Sequence, residues 1–208
     1  MDGNGGSGVA TERRPQALEA LLTRRSVSQL CEPAPDGDDL ARIIEAGLQA
    51  PDHGRLRPWR FVTIRGEART AFAEMLIMAL KRRDPAATEA MEGRIRTRIL
   101  GVPLIIAVGA HIKTEGPIPE IEQLLSAGAA AANMLNAIHA LGYGGMWVTG
   151  AQTYDRSVNE ALGFALPDRL VGLLYVGTLK TAPQVWPRPV LTDHVREWVA
   201  SSTVTVSD

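Results

Sequence analysis

The sequence predicts a layered domain of the α/β or α+β class. Two apolar runs, at residues 102–110 and 169–179, are typical of buried strands, and a shorter run at 59–64 follows a polar loop. Segments with the apolar spacing of helices separate these runs. When strands and helices alternate along a chain in this way, the strands form a sheet and the helices bury their apolar faces against it.

The helices are predicted from apolar spacing and from the residues that start and stop helices. That spacing predicts helices over residues 15–24, 39–50, 67–83, 88–100, 118–141, 154–162 and 193–200. Pro15 suits a first helical position, where its missing N–H costs nothing. Asp36 and Asp38 are candidate caps for the second helix, and Pro51 ends it. Residues 24–35 are expected to be connecting chain.

The longest predicted helix, at 118–141, contains the segment SAGAAAANML. Small side chains let a backbone approach its neighbours closely, so we expect this helix to be central and packed on both sides. Gly142 is expected to stop it in the left-handed conformation. The following segment, GYGGMWVTG, reads as a strand or turn, and the proline-containing chain from Thr181 is expected to wrap over a neighbour.

Composition and charge exclude several classes of protein. The 208 residues carry 22 basic and 23 acidic side chains, and this balance gives no general attraction to nucleic acid or anionic membranes. No apolar run reaches the ~20 residues that a membrane helix needs. The single cysteine, Cys31, excludes an intramolecular disulfide, and we expect a cytoplasmic protein. Residues 1–14 are expected to form a flexible leader, and residues 15–208 one domain.

The familiar catalytic and metal-binding patterns are missing. The sequence has no phosphate-binding loop of the G-x-x-x-x-G-K-[ST] type, no strand-initiated G-x-G-x-x-G and no G-x-S-x-G elbow. Its four histidines show no ligand spacing, so we predict no metal site. We also predict no acid–base constellation of catalytic side chains.

Two polar segments remain to be explained. The first, Arg24-Arg25-Ser26, ends a predicted helix, and two guanidinium groups beside a hydroxyl can hold a phosphate. Alternatively, it is a solvated pair of charges favourably placed at a helix C-terminus. The second, at residues 50–59, carries His53 and Arg57 and suits a planar ligand with polar edges. Alternatively, it is a solvent-exposed loop that Trp59 anchors to the core.

Taken together, four segments resemble the nitroreductase family of flavin oxidoreductases, most closely its compact bacterial branch. They are RRSVSQL, APDHGRLRPWRF, EQLLSAGAAAANMLNAIHALGYGGMWVTG and LVGLLYVGTLK, in that order between residues 15 and 180. The resemblance implies an α+β fold, with a central sheet flanked by helices. It also implies a homodimer that holds one FMN at each of two sites between the subunits.

The resemblance also implies the residues that bind the cofactor. Arg24 and Ser26, with Arg25 in the same turn, would hold the FMN phosphate, while His53 and Arg57 would reach the flavin, often from the partner subunit. A third group would lie beside the isoalloxazine ring: Trp147, Val148, Thr149 and Gly150. A backbone N–H of one of the last two would face flavin N5. The reactive centre would be the flavin itself, with no catalytic side chain.

The implied activity is an NAD(P)H-dependent flavin oxidoreductase. A hydride from NADH or NADPH would reach flavin N5, and a small electron-poor acceptor, such as a nitroaromatic or a quinone, would then be reduced in a ping-pong cycle. Three positions depart from the family pattern: Ser28 and Val148 stand where members often carry a cation, and Arg57 where relatives often carry Gln. We infer that Arg57 partly replaces the lost charge.

These departures leave other functions open. An FMN-binding carrier or sensor without efficient turnover is one alternative. Others keep the fold but change the reaction, to oxygen-dependent fragmentation of the flavin or to reductive dehalogenation.

Overall fold

The structure, a computed structural model, describes residues 16–199. Within that range, the strands are β1 (Leu30–Cys31), β2 (Trp59–Arg65), β3 (Leu104–Ala110), β4 (Gly144–Val148) and β5 (Arg169–Leu179). The α-helices are α1 (Gln16–Thr23), α2 (Gly37–Leu48), α3 (Ala68–Arg83), α4 (Glu89–Leu100), α5 (Glu120–Ala140), α6 (Ala151–Tyr154) and α7 (Arg156–Ala161). Single 3₁₀ turns lie at His53–Arg55 and Leu191–Asp193.

All the strand pairs of the sheet are antiparallel. The central strand β3 pairs with β2 on one side and with β5 on the other. The longer β5 also pairs with β4, and its last residues pair with β1. Helices cover a sheet with no parallel ladder between its named strands, so the fold is α+β, as the sequence analysis predicts.

The sheet is buried on both faces. On one face, side chains such as Leu104 and Ile106 of β3 pack against α2 and α5. On the other, Ile105 and its neighbours pack against α3 and α4. Every residue of β3 is buried, which explains why this strand reads as an unbroken apolar run rather than as an alternating pattern.

The structure corrects three of the predicted elements. Residues 30–31, expected to be connecting chain, form β1. The helix predicted at 154–162 breaks at Asp155, which ends α6 and caps α7. The helix predicted at 193–200 is wrong: only a 3₁₀ turn ending at Asp193 forms, and residues 195–199 have no regular structure. Side chains there, such as Trp198, are exposed, so a short helix in this segment would lack the tertiary packing that stabilises most helices.

Two further predictions concern the N-terminal leader and membrane-spanning helices. The predicted leader, residues 1–14, lies outside the described residues. Across residues 16–199, none of the helices combines the length and apolarity required to cross a membrane.

Asp155 connects α7 to α3 and is the basis of a stability prediction. Its side chain is only 10% exposed, accepts hydrogen bonds from the N–H groups of Ser157 and Val158, and pairs with Arg83 Nη1 at 3.1 Å. We expect Asp155→Ala to lower the free energy of unfolding by about 1–3 kcal/mol at pH 7, since a helix cap and a charged hydrogen bond are lost. Urea denaturation of the wild type and of Asp155→Ala measures this difference in the free energy of unfolding.

The pH dependence of the Asp155→Ala effect identifies the charge as its source. Burial raises the pKa of the Asp155 carboxyl, but the hydrogen bonds from Ser157, Val158 and Arg83, together with the charge of Arg82, outweigh burial and lower it. The carboxylate therefore stabilises the fold above about pH 4, and this stability is lost as the pH falls through the lowered pKa. The difference in the free energy of unfolding between the wild type and Asp155→Ala should therefore be smaller at pH 3 than at pH 7. Asp155→Asn, which keeps a capping oxygen but removes the charge, should have the smaller effect at pH 7. If Asp155→Asn leaves the free energy of unfolding unchanged, a role for the charge is contradicted.

Candidate functional site

The Arg24–Ser26 segment is fixed where β4 begins and α5 ends. Ser26 forms a parallel bridge with Gly145, and the next residue, Val27, donates its N–H to the Gly145 carbonyl at 3.1 Å. On the other side, Thr23 Oγ1 lies 3.0 Å from His139 Nε2 near the end of α5. The short connection from α1 is therefore held at both sides by backbone and side-chain hydrogen bonds.

The two arginines of this segment behave differently. Arg24 Nη1 lies 3.5 Å from Ser26 Oγ, so the two predicted phosphate ligands converge. Arg25 instead turns back: its Nη1 donates to the carbonyls of Thr23 and Arg24, at 3.4 and 3.2 Å. The interpretation as a cation at a helix C-terminus thus describes Arg25, whereas Arg24 and Ser26 have the arrangement expected of an anion site.

The structure adds a third guanidinium group that the sequence analysis missed. Arg188 Nη2 donates to the carbonyls of Leu22 and Arg24, at 3.0 and 2.8 Å. Arg188 lies 164 residues after Arg24 in an exposed segment between two prolines. No periodicity or motif marks it, and only the return of the chain to the end of α1 brings it to the candidate phosphate site.

From the Arg24–Ser26 segment, β4 leads directly to the predicted flavin-contacting residues. Gly145 to Gly150 spans about 16 Å at the usual rise of a strand. Thr149 and Gly150 lie beyond Val148, the last residue that pairs with β5. Gly150 has φ of 139°, in the region that favours glycine. The Arg24–Ser26 segment thus lies at the beginning of β4, and residues that no longer pair with β5 lie at its end.

Trp147 has an unusual environment on this strand. Its indole Nε1 is buried and has no hydrogen-bond partner among the described residues. The ring packs on Gly172 of β5 so closely that a Cβ at that position would collide with it. Val148, next in the strand, faces the opposite side of the sheet and packs with the α3–α4 cluster.

The polar loop after α2 is anchored to the first half of α5. Trp59 Nε1 donates to Ser126 Oγ at 2.9 Å, and Ser126 Oγ donates to the Pro51 carbonyl at 2.7 Å. His53 Nδ1 lies 2.5 Å from Glu122 Oε2. Trp59 is 9% exposed, so the interpretation as a tryptophan anchor is confirmed.

The anchored loop presents its other polar side chains outward. His53 and Arg57 are both exposed. The backbone at Arg57 is left-handed, with φ of 51°, and its N–H donates to Asp52 Oδ2 at 2.8 Å. A firm anchor and exposed donors are compatible with a role in binding a ligand from outside the chain.

One chain does not bring all the predicted site residues together. Thr23 and the Arg24 segment lie by His139, whereas His53 lies by Glu122 near the beginning of α5. The 17 residues between those contacts correspond to about 25 Å along the helix. The structure therefore places Arg24 and Ser26 in line with β4, and leaves His53 and Arg57 at the opposite end of α5.

Comparisons with known proteins decide the family. The sequence profile described as "Nitroreductase family" matches residues 21–178. The chain belongs to the nitroreductase family. The fold and the family inferred from the four sequence segments are both confirmed.

Individual nitroreductases support this assignment. YdjA of Escherichia coli (strain K12) is 42% identical over 165 residues, covering 78% of this chain and 87% of YdjA. A Haemophilus influenzae relative is 34% identical over 163 residues, covering 78% of this chain and 88% of the relative. The names of both place them among NAD(P)H nitroreductases.

Solved nitroreductase structures agree with the fold. A nitroreductase-like protein from Bacillus cereus superimposes with a TM-score of 0.77 at 22% identity, over 92% of this chain and all of that one. A crystal structure from Desulfovibrio desulfuricans, which contains FMN, superimposes with a TM-score of 0.68 at 25% identity, over 90% and 99% of the two chains. As the sequence analysis predicts, this nitroreductase is an oxidoreductase.

Proposed function

We propose that this nitroreductase binds FMN and uses it to carry electrons from NADH or NADPH to a small electron-poor acceptor in a ping-pong cycle. The observation that carries the proposal is the alignment of the Arg24–Ser26 segment with β4 and the strand end at Thr149 and Gly150. FMN, when bound, supplies a hydride-accepting N5 atom and passes the electrons on to the second substrate. A nitroaromatic or a quinone is the expected class of acceptor.

The residues at both ends of β4 fit FMN. At the phosphate end, Arg24, Ser26 and Arg188 offer two guanidinium groups and a hydroxyl. At the other end, the buried indole N–H of Trp147 has no partner among the described residues, and Gly150 has a positive φ of 139° beyond the end of β4. The span of about 16 Å between Gly145 and Gly150 is comparable with the length of an FMN molecule.

The protein's own groups have a limited chemical task. The backbone N–H groups of Thr149 and Gly150 would donate toward the edge of the ring, where fixed dipoles stabilise developing negative charge without reorganisation. Arg24 and Ser26 would hold the phosphate and so fix the position of the ring relative to β4. No side chain needs to act as an acid–base catalyst, in accordance with the absence of such a motif from the sequence.

A second copy of the chain would complete the site. The α5 helix bears an exposed stripe of apolar and small residues: Ile121, Leu125 and Ala132. Packing of two copies through this stripe would bring the loop of one chain toward the β4 edge of the other. His53 and Arg57 of a second copy would then contact the flavin. Arg57 could supply the charge missing at Ser28 only in this way.

The decisive experiment is an anaerobic visible spectrum of the purified protein with added FMN. We expect protein-bound flavin absorbance that bleaches on addition of NADPH or NADH, and recovers when a nitroaromatic or a quinone is added. Free FMN with the same nucleotides is the control. Bound flavin that stays oxidised under excess nucleotide would favour the carrier or sensor, for which the uncharged Ser28 and Val148 are the motivation.

A further inference from the structure

Glu122, in the first turn of α5, holds the imidazole ring of His53. Its Oε2 lies 2.5 Å from His53 Nδ1. An ionised carboxylate can only accept a hydrogen bond, so Nδ1 carries the proton and donates it. The other ring nitrogen, Nε2, has no hydrogen-bond partner among residues 16–199. The carboxylate therefore fixes the proton on Nδ1 and leaves Nε2 available to a ligand.

The contact with Glu122 restrains a side chain that packing leaves free. The backbone next to His53 is packed, since Gly54 lies so close to Ile118 that a Cβ on Gly54 would collide with it. The His53 side chain, in contrast, is 67% exposed, and the Glu122 carboxylate is its single hydrogen-bond partner within the described part of the chain. Without that carboxylate, the imidazole is free to rotate about its side-chain bonds.

Two general roles of a surface carboxylate do not explain this contact. Acidic side chains in the first turn interact favourably with the helix dipole, but Glu120 lies in the same turn and pairs with Arg169 instead, at 3.0 Å. The His53–Glu122 pair also adds little to folding stability, because its side chains are 67% and 41% exposed. We therefore expect the pair to affect the direction of the imidazole rather than the stability of the fold.

We propose that Glu122 is a positioning residue of the flavin site, which fixes the His53 imidazole so that Nε2 meets the FMN held by a second copy of the chain. This inference rests on the proposed function, which supplies both the FMN and the dimer. A ring that is restrained before binding loses less rotational freedom when the ligand arrives, so the restraint favours binding. Glu122 acts through His53 and needs no contact of its own with the cofactor.

A double-mutant cycle on FMN affinity tests this role. Quenching of FMN fluorescence by the full-length protein gives dissociation constants for the wild type, His53→Ala, Glu122→Ala and the double variant. We expect each single substitution to weaken binding about tenfold, as for a lost hydrogen bond. The double variant should bind within about twofold of His53→Ala, because Glu122 acts only through that residue. Losses that multiply to about 100-fold would overturn the proposal.

A conservative variant and a matched control make the cycle specific. Glu122→Gln keeps an oxygen that accepts from Nδ1, and should bind FMN within about threefold of the wild type. A loss as large as that of Glu122→Ala would overturn the positioning role. Glu120→Ala removes the same charge from the same turn of α5 and should leave the affinity within about twofold. An equal loss in Glu120→Ala and Glu122→Ala would assign the effect to bulk charge.

Two measurements on the FMN-free protein are independent of flavin activity. Imidazole ¹⁵N shifts report which ring nitrogen of His53 carries the proton, and Glu122→Ala should change them whereas Glu120→Ala should not. Urea denaturation of Glu122→Ala should give the free energy of unfolding of the wild type; a clear decrease would assign Glu122 a structural role instead. Wild type that binds no FMN would refute the proposed function as well, whereas equal binding by wild type and Glu122→Ala would refute this inference alone.

Discussion

Leu125→Arg is expected to yield a monomer that no longer retains FMN. Leu125 is 66% exposed on α5, one turn from Ile121, which is 59% exposed. In the proposed dimer both side chains are buried, and an arginine would enter the interface as a desolvated and unpaired charge. The dimer dissociation constant should rise at least about 100-fold, since such a charge costs several kcal/mol. Sedimentation velocity and flavin absorbance of the sedimenting species measure both effects.

Met78→Arg provides the matched control for this experiment. Met78 is 56% exposed on α3, on the other side of the sheet from α5, and accepts the same new charge at a surface that the proposed dimer does not use. It should remain dimeric and retain FMN. A Leu125→Arg protein that is still dimeric would move the interface away from α5. A monomer that binds FMN tightly would show that one chain is sufficient for the site.

Arg24→Ala and Ser26→Ala are expected to weaken FMN binding by about 10- to 100-fold each. Each substitution removes a hydrogen-bond partner of a charged phosphate, worth about 1.5–3 kcal/mol. Their effects should not simply add, because Arg24 Nη1 and Ser26 Oγ already interact at 3.5 Å. Quenching of FMN fluorescence on titration with protein gives the dissociation constants.

The other arginines make this test specific. Arg25→Ala should have a smaller effect, since the Arg25 side chain is engaged by backbone carbonyls. Arg188→Ala should weaken binding by less than Arg24→Ala, since Arg188 Nη2 already donates to the carbonyls of Leu22 and Arg24. Arg42→Ala, which removes an exposed arginine whose ion pair among the described residues is with Asp39 on α2, controls for overall charge. Unchanged affinity in both Arg24→Ala and Ser26→Ala would refute the proposed phosphate site.

Strong local patterns account for the parts of the fold that could be predicted. The run of β3 identifies a strand because every residue of it is buried, and the small residues of α5 identify a helix that packs closely on its neighbours. The two-residue β1 leaves no such mark, since it forms only where Leu30 meets Leu179 at the end of β5. The break at Asp155 combines a local and a tertiary effect, since that carboxylate caps α7 and also pairs with Arg83 of α3.

The residues of the candidate site also include some that the sequence reveals and some that it does not. Arg24 and Ser26 are adjacent in the sequence and could be recognised as a group. Arg188 could not, because its importance arises from contacts with residues far away in the chain. Arg25 shows the reverse case: it belongs to the motif, but its side chain bonds to the helix end.

The separation of His53 from Arg24 along α5 has a thermodynamic consequence. In the proposed dimer, each chain contributes the Arg24 part of one flavin site and the His53 part of the other. Dimerisation and FMN binding are then linked equilibria. FMN would stabilise the dimer by mass action, and dilution of the protein would weaken its apparent affinity for FMN. Cofactor supply and protein abundance would then jointly determine the fraction of active molecules, and a sparsely expressed chain would respond cooperatively to a rise in either.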